Sequence, residues 1–265
     1  MSEVIVSVDD IVKYYSADEQ RRFEEYVSSD KHKPRSVKGV HFLRERSLLP
    51  LVTGSPKLGL MAYVAGLNWY AGSIHIGKTS ACCPQFYVGK YDRCASLPGV
   101  ASALHVPLAP DPKLNPNPKY DRYTMPSAMA LLLSELGIPS NGSKADFAEP
   151  YPDIVDTLLL HDHERTALFL GAQLLTQASR HSGDILVSTI EKSTEELAQR
   201  TGNETYHLYR EVFPSIEIGK PKLHAAHGKF YATIRMSESK YDALVERTHK
   251  LLREESYRSS ELVSS

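Results

Sequence analysis

Apolar positions along the chain fall at helical spacing more often than in alternation. Between Ser55 and Ala71, Leu60, Met61, Val64 and Leu67 recur every three to four residues, behind a Ser55-Pro56 start that reads as an N-cap with proline at the first helical position. Ser127 to Leu136 carries Met129, Leu132, Leu133 and Leu136 and is closed by Gly137 and Pro139 as stop signals. Asp153 to His181, with Ile154, Leu158, Leu168 and Leu175 apolar, predicts one long helix or two abutting ones. Capping boxes at Ser16-Ala17-Asp18-Glu19 and Ser193-Thr194-Glu195-Glu196 open two more helices, and His41, Phe42, Leu43 and Leu48 mark another that ends before Pro50. After Ser239 the face of Tyr241, Leu244, Val245, Thr248, Leu251 and Leu252 predicts a last helix, expected to dock on the chain's own core.

Strands are predicted at Ser73 to Ile76 and Gln85 to Val88, and a hairpin from Ile216 to Ile218 and Phe230 to Met236. The expected class is α+β and helix-dominated, with short strands or hairpins around 73–88 and 215–236. No period of a repeat architecture recurs, and the shared Lys-Tyr-Asp-Arg at 90–93 and 119–122 is too short to make one. Pro107 to Pro118 holds five prolines in twelve residues. This divides the chain into an N-terminal lobe 1–106 with a basic segment 31–46, a connector or intersubunit arm 107–126, and a mostly helical C-terminal lobe 127–265; a single domain fits as well.

Composition narrows the classes. With 265 residues, 42% hydrophobic and 24% charged, the chain reads as an ordinary soluble globular protein. No secretory signal and no apolar run of membrane-spanning length is visible, so a cytoplasmic location is expected. Three cysteines, Cys82, Cys83 and Cys94, argue against a disulfide framework and lack the paired spacing of a zinc site, and no metal is expected. The net charge of −1 excludes a wholly basic nucleic-acid binder. Charge is nevertheless segregated. Lys31, Lys33, Arg35, Lys38, Arg44 and Arg46 face a single acid, Glu45, in their segment, and Lys220, Lys222, Lys229 and Arg235 lie in a segment without any acid.

Two chemistries compete for these residues. Tyrosines adjoin cations repeatedly, as at Lys90-Tyr91, Arg122-Tyr123 and Tyr231 near Lys229, the composition that stacks bases and pairs phosphates in single-stranded nucleic acid. The leading expectation is therefore a non-catalytic, RNA-binding or nucleoprotein-like chain without cofactor, capable of self-association and lined by the ten cations above with Tyr231. The alternative is a phosphate loop. Gly72-Ser73-Ile74-His75-Ile76-Gly77-Lys78-Thr79 matches G-x-x-x-x-G-K-[ST], so that Gly72, Gly77, Lys78 and Thr79 would hold ATP or GTP with Mg²⁺, completed by Asp156 or Asp184. That reading needs a strand before Gly72 and a helix after Lys78. A third possibility is an enzyme site assembled in space from His161, Glu164 and His224.

Overall fold

The computed structural model describes residues 2–29, 35–77, 83–89, 96–110 and 120–261. The chain opens with β1 (Val4–Val6), α1 (Val8–Val12), α2 (Ala17–Ser29), α3 (Arg35–Glu45) and β2 (Leu51–Val52). There follow α4 (Leu58–Ala71), β3 (Gly72–Ser73), β4 (Gln85–Gly89), α5 (Ser96–Ala103), β5 (Ala109–Pro110), β6 (Tyr120–Thr124) and α6 (Ser127–Glu135). After α7 (Ile154–His161) the same order returns as α8 (His163–Gln177), β7 (Ala178–His181), β8 (Asp184–Ser188), α9 (Glu195–Val212), β9 (Lys222–Ala226), β10 (Lys229–Ser237) and α10 (Glu238–Glu261). The fold is α+β, and it is internally duplicated. Each half carries a four-stranded antiparallel sheet with its strands in equivalent order, β3-β4-β6-β5 in the first and β7-β8-β10-β9 in the second.

The two halves meet through α4 and α8, which share the most extensive helix contact in the molecule. Every residue of α4 from Leu58 to Trp69 is buried, which is why its sequence is apolar on all sides rather than on one stripe. Close approach depends on Gly66. A Cβ there would stand 2.7 Å from the Phe169 carbonyl oxygen and 2.8 Å from the Ala172 methyl. Asn68 and Gln173, equivalent residues of α4 and α8, each donate a side-chain amide N–H to a carbonyl of their own sheet, Asn68 to Gln85 at 3.0 Å and Gln173 to Ser188 at 2.9 Å. The duplication thus extends from element order to individual hydrogen bonds.

Several sequence expectations hold. Gly137 ends α6 at φ 88°, and Ile138 N–H returns to the Leu133 carbonyl at 3.1 Å. Helix α10 docks within the chain, on α8, α5 and α4, with Leu244 and Thr248 buried and the Tyr241 hydroxyl donating to the Leu174 carbonyl at 3.1 Å. Helix α9 opens as expected but one residue later than the Ser193 capping box implies: Thr194 is the cap and accepts from Leu197 N–H at 3.3 Å, while Ser193 Oγ donates to the Ala145 carbonyl at 3.3 Å. Thr194→Ala is expected to lower stability by about 1 kcal/mol in a urea melt.

Others are corrected. Helix α4 starts at Leu58, because Ser55 Oγ accepts from Lys57 N–H at 3.2 Å in a turn before the helix. The helical reading of 153–181 ends at Gln177, and Ala178–His181 form β7, turned back on β8 by Ser182 and Gly183 at φ 49° and 87°. Ile216–Ile218 are not a strand; the partner of β10 is Lys222–Ala226, joined by His227 and Gly228 at φ 51° and 76°, the double positive-φ turn that suits a two-residue hairpin. In the segment 107–126, residues 111–119 lie outside the described residues, while β6 is an interior strand of the first sheet. Among the described residues no helix is long and apolar enough to cross a membrane.

Candidate nucleic-acid interface

Alternation along each strand gives each sheet an inner and an outer face. In the second sheet Ile185, Val187, Ala232, Ile234 and Met236 are buried inward. The alternate positions Lys229, Tyr231, Thr233 and Arg235 point outward, in register with His224 opposite Tyr231 and Lys222 opposite Thr233. The His224 and Tyr231 rings stack with centroids 5.3 Å apart and an interplanar angle of 19°, and His224 Nε2 lies 2.9 Å from Thr233 Oγ1. Arg235 Nε donates to Asp184 Oδ2 at 2.7 Å, and Lys229 Nζ lies 3.4 Å from Glu191. A hollow of about 300 Å³ opens on this face between His181, Lys222, His224 and Arg235.

The first sheet repeats the plan with fewer charges. Phe86 is buried inward, whereas Ser73, Gln85, Tyr87, Arg122 and Thr124 occupy outward positions. The Tyr87 hydroxyl donates to Gln85 Oε1 at 3.2 Å, and the Arg122 guanidinium lies 5.5 Å from the Tyr87 ring centroid. Among the described outward residues of both sheets, Asp184 is the only acid.

Between the sheets, at the C-terminal ends of α4 and α8, lies a cleft of about 410 Å³ walled by Gly72, Ser73, Lys144, Gln177, Glu191 and Lys229. Lys144 Nζ donates to the carbonyls of Trp69 at 2.9 Å, Gly72 at 2.6 Å and Asn68, and Gln177 Nε2 donates to that of Tyr70 at 2.9 Å. The carbonyls left over at the end of α4 are thereby occupied. Burial pulls the Lys144 ammonium down to about 7. Lys192, itself fully buried and pulled down by burial to about 8, donates to the carbonyls of Phe147 at 2.7 Å, Lys144 at 3.3 Å and Glu149 at 3.3 Å. One buried lysine therefore holds the segment that carries the other.

The structure gathers Lys222, Lys229, Tyr231 and Arg235 on one face, with Lys220 exposed just before β9. Lys38 and Arg44 are exposed on α3, a helix packed on α1, α2 and α6 and not part of either sheet. Arg46 is a fixture of the fold: its Nε donates to the His105 carbonyl at 2.7 Å, and its guanidinium lies 3.7 Å from the Phe42 ring centroid. Arg35 opens α3, and Lys31 and Lys33 lie outside the described residues. The residues the sequence did not single out are Gln85, Tyr87, Lys144 and Gln177, together with the outward placement of Arg122; the strand expected at Gln85 to Val88 was the available signal for the first two.

The phosphate-loop alternative meets the wrong elements. Helix α4 runs directly into Gly72, and the next element among the described residues is β4, paired antiparallel with β3. Ile76 N–H is taken by Asn141 Oδ1 at 2.8 Å, so the segment through Gly77 is a pinned extended chain; Lys78 and Thr79 lie outside the described residues. Of the acids assigned to that site, Asp156 sits exposed on α7 and Asp184 pairs with Arg235. His161 pairs with Glu3 at 3.3 Å beyond the N-terminal end of α8, where Glu164 also lies, whereas His224 belongs to the sheet that follows the other end of that helix. Among the described residues no group of three or more His, Cys, Asp or Glu is placed to hold a metal ion.

No protein-family model matches the chain, and no curated protein does. Among solved structures it is similar to full-length DUF199/WhiA from Thermatoga maritima, with a TM-score of 0.43 and 15% identity over 82% of this chain and 64% of that one. It thus spans less than two thirds of that protein's length. It is also similar to the N-terminal LAGLIDADG domain of DUF199/WhiA, with a TM-score of 0.43 and 13% identity over 77% of this chain and 89% of that one. A third likeness is to I-DmoI in complex with DNA and Mn, with a TM-score of 0.41 and 9% identity over 72% of this chain and 97% of that one.

Proposed function

We propose that the protein binds nucleic acid through the outer faces of its two sheets, as a binding rather than a catalytic chain. The observation that carries this is the pair of equivalent sheets whose outward residues include cations, amides, hydroxyls and aromatics around a few apolar positions such as Leu186, with Asp184 as the only acid among those described. Phosphates need cations, and base edges need such donors and acceptors. In the cleft between the sheets, Lys144, Glu191 and Lys229 are bonded within the protein, which favours binding over proton transfer there.

The rings choose the ligand. Single-strand binding needs open aromatic platforms, but Tyr231 is already stacked on His224 and the Arg122 guanidinium lies over the Tyr87 ring. Two like sheets joined about a central helix pair suit a ligand that is itself two-fold in its backbone, and a β-ribbon can enter the major groove of B-form DNA but not the deep, narrow one of A-form RNA. These features favour duplex DNA over the single-stranded RNA expected from the sequence.

Fluorescence anisotropy with duplex DNA, single-stranded DNA and single-stranded RNA across a salt series tests this. Duplex DNA is expected to bind most tightly, and Arg122→Ala with Lys222→Ala to weaken it at least roughly tenfold while reducing the log-log salt slope by about 2. Unchanged affinity in the double variant would remove the sheet faces from the interface, and tighter binding to single-stranded RNA would reverse the choice of ligand.

A further inference from the structure

On the helical side of the molecule, away from the outer sheet faces, a groove of about 440 Å³ runs between α5 and α10. Its floor is Val100 and Leu252, and its α5 wall is lowered by Gly99, where an added Cβ would meet no atom within 4 Å. His249 and Arg253 stand at its α10 rim, and neither side chain forms an ion pair or hydrogen bond among the described residues. One turn beyond Arg253, Tyr257 is 65% exposed, one of three large hydrophobics so placed among the described residues. Tyrosine and arginine beside an apolar groove are the residue types that dominate protein interfaces.

The outer side of α10 says what fits there. Glu246, Lys250, Glu254 and Arg258 recur at every fourth residue and so form one exposed ridge. Lys250 and Glu254 lie 3.8 Å apart within it, and Arg258 also bonds the buried Glu255 at 2.8 Å. A ladder of this kind on a solvated helix has no preferred direction. Against a second α10 laid antiparallel and centred on Leu252, however, it is self-complementary: Glu246 meets Arg258 of the second copy, Lys250 meets Glu254, and no like charges are opposed. The same placement brings Tyr257 of each copy to the His249 end of the other's groove.

We infer that the α5–α10 groove is an isologous interface between two copies of this chain, with Tyr257 as the inserted anchor and the α10 ridge setting the antiparallel direction. This does not depend on the nucleic-acid reading, since the groove and the sheet faces share no residue.

Sedimentation velocity over a dilution series, without nucleic acid, is the test. The unmodified chain is expected to show a monomer–dimer equilibrium. Gly99→Trp, which fills open space, and Tyr257→Ala are each expected to weaken the dimer roughly tenfold or more, with circular dichroism unchanged. Lys250→Glu and Glu254→Lys are expected to weaken it singly and to restore it when combined, because the exchange preserves every opposed pair; since the exchange also restores the Lys250–Glu254 pair within α10, urea melts of the monomer are run beside it, and unchanged monomer stability in the single variants assigns their loss to the interface. A monomer at every concentration would overturn the inference. So would a dimer indifferent to both Gly99→Trp and the charge exchange.

Discussion

Gly66→Leu is expected to cost about 3 kcal/mol or more of folding stability, seen as a lower urea midpoint with the halves still individually helical by circular dichroism. Overpacking a filled core costs ~1–3 kcal/mol where side chains can yield. At Gly66 one obstacle is backbone, the Phe169 carbonyl 2.7 Å from the added Cβ, so α4 and α8 must separate. The helix-propensity gain of replacing a glycine, ~1 kcal/mol, is too small to offset that. Gly99→Ala supplies the contrast: it sits in α5 with nothing within 4 Å of a Cβ and is expected to be neutral or to stabilise by up to about 1 kcal/mol. Equal losses at both sites would mean that the helix pair does not set the stability of the fold.

The helices were legible because each carries a local signal. Gly137 after α6, the capping residues before α9 and the apolar face of α10 are written within a few residues of where they act. The duplication was not legible, because its two halves share element order and very few letters. Gly66 and Gly171 correspond, and so do Asn68 and Gln173, at a constant offset of 105 positions. An amide can reach a sheet carbonyl from either residue type, so nothing in the sequence marks the pair as equivalent. Strand β9 was missed for a similar reason. Lys222-Leu223-His224-Ala225-Ala226 has little β-propensity of its own and is held by the ladder to β10.

Half of the candidate surface could be read as a basic segment, since Lys229 and Arg235 share one strand period with Tyr231 and Lys222 lies in the same acid-free stretch. The sequence could not say that α3, with an equal density of cations, packs elsewhere, on α1, α2 and α6. Nor could it show that Arg46, the last cation of that segment, is consumed by the His105 carbonyl and the Phe42 ring. The phosphate-loop letters failed on context: Gly72 ends a helix and opens a strand, the reverse of what phosphate binding needs.

Lys144→Met is expected to cost about 3 kcal/mol, the second large effect, although it replaces a cation by an apolar chain of similar length in a mostly buried place. Two terms oppose each other here. Burial disfavours the ammonium, which is why it is pulled down to about 7, and removing the charge relieves that cost. Against this, the substitution strands the carbonyls of Asn68, Trp69 and Gly72, at the negative end of α4, and an unsatisfied buried acceptor costs ~1–3 kcal/mol. Three acceptors outweigh one desolvated ammonium, even if cleft water takes the carbonyl of Gly72. Lys144→Arg is not expected to rescue the loss, because a planar guanidinium cannot direct three donors at carbonyls gathered around one point. Urea unfolding measures the stability, and hydrogen exchange at Ser73 and Phe86 measures whether the start of the first sheet loosens with it. A loss below about 1 kcal/mol would mean that water replaces the lysine without penalty, and that the end of α4 is held by Gln177 and the sheet instead.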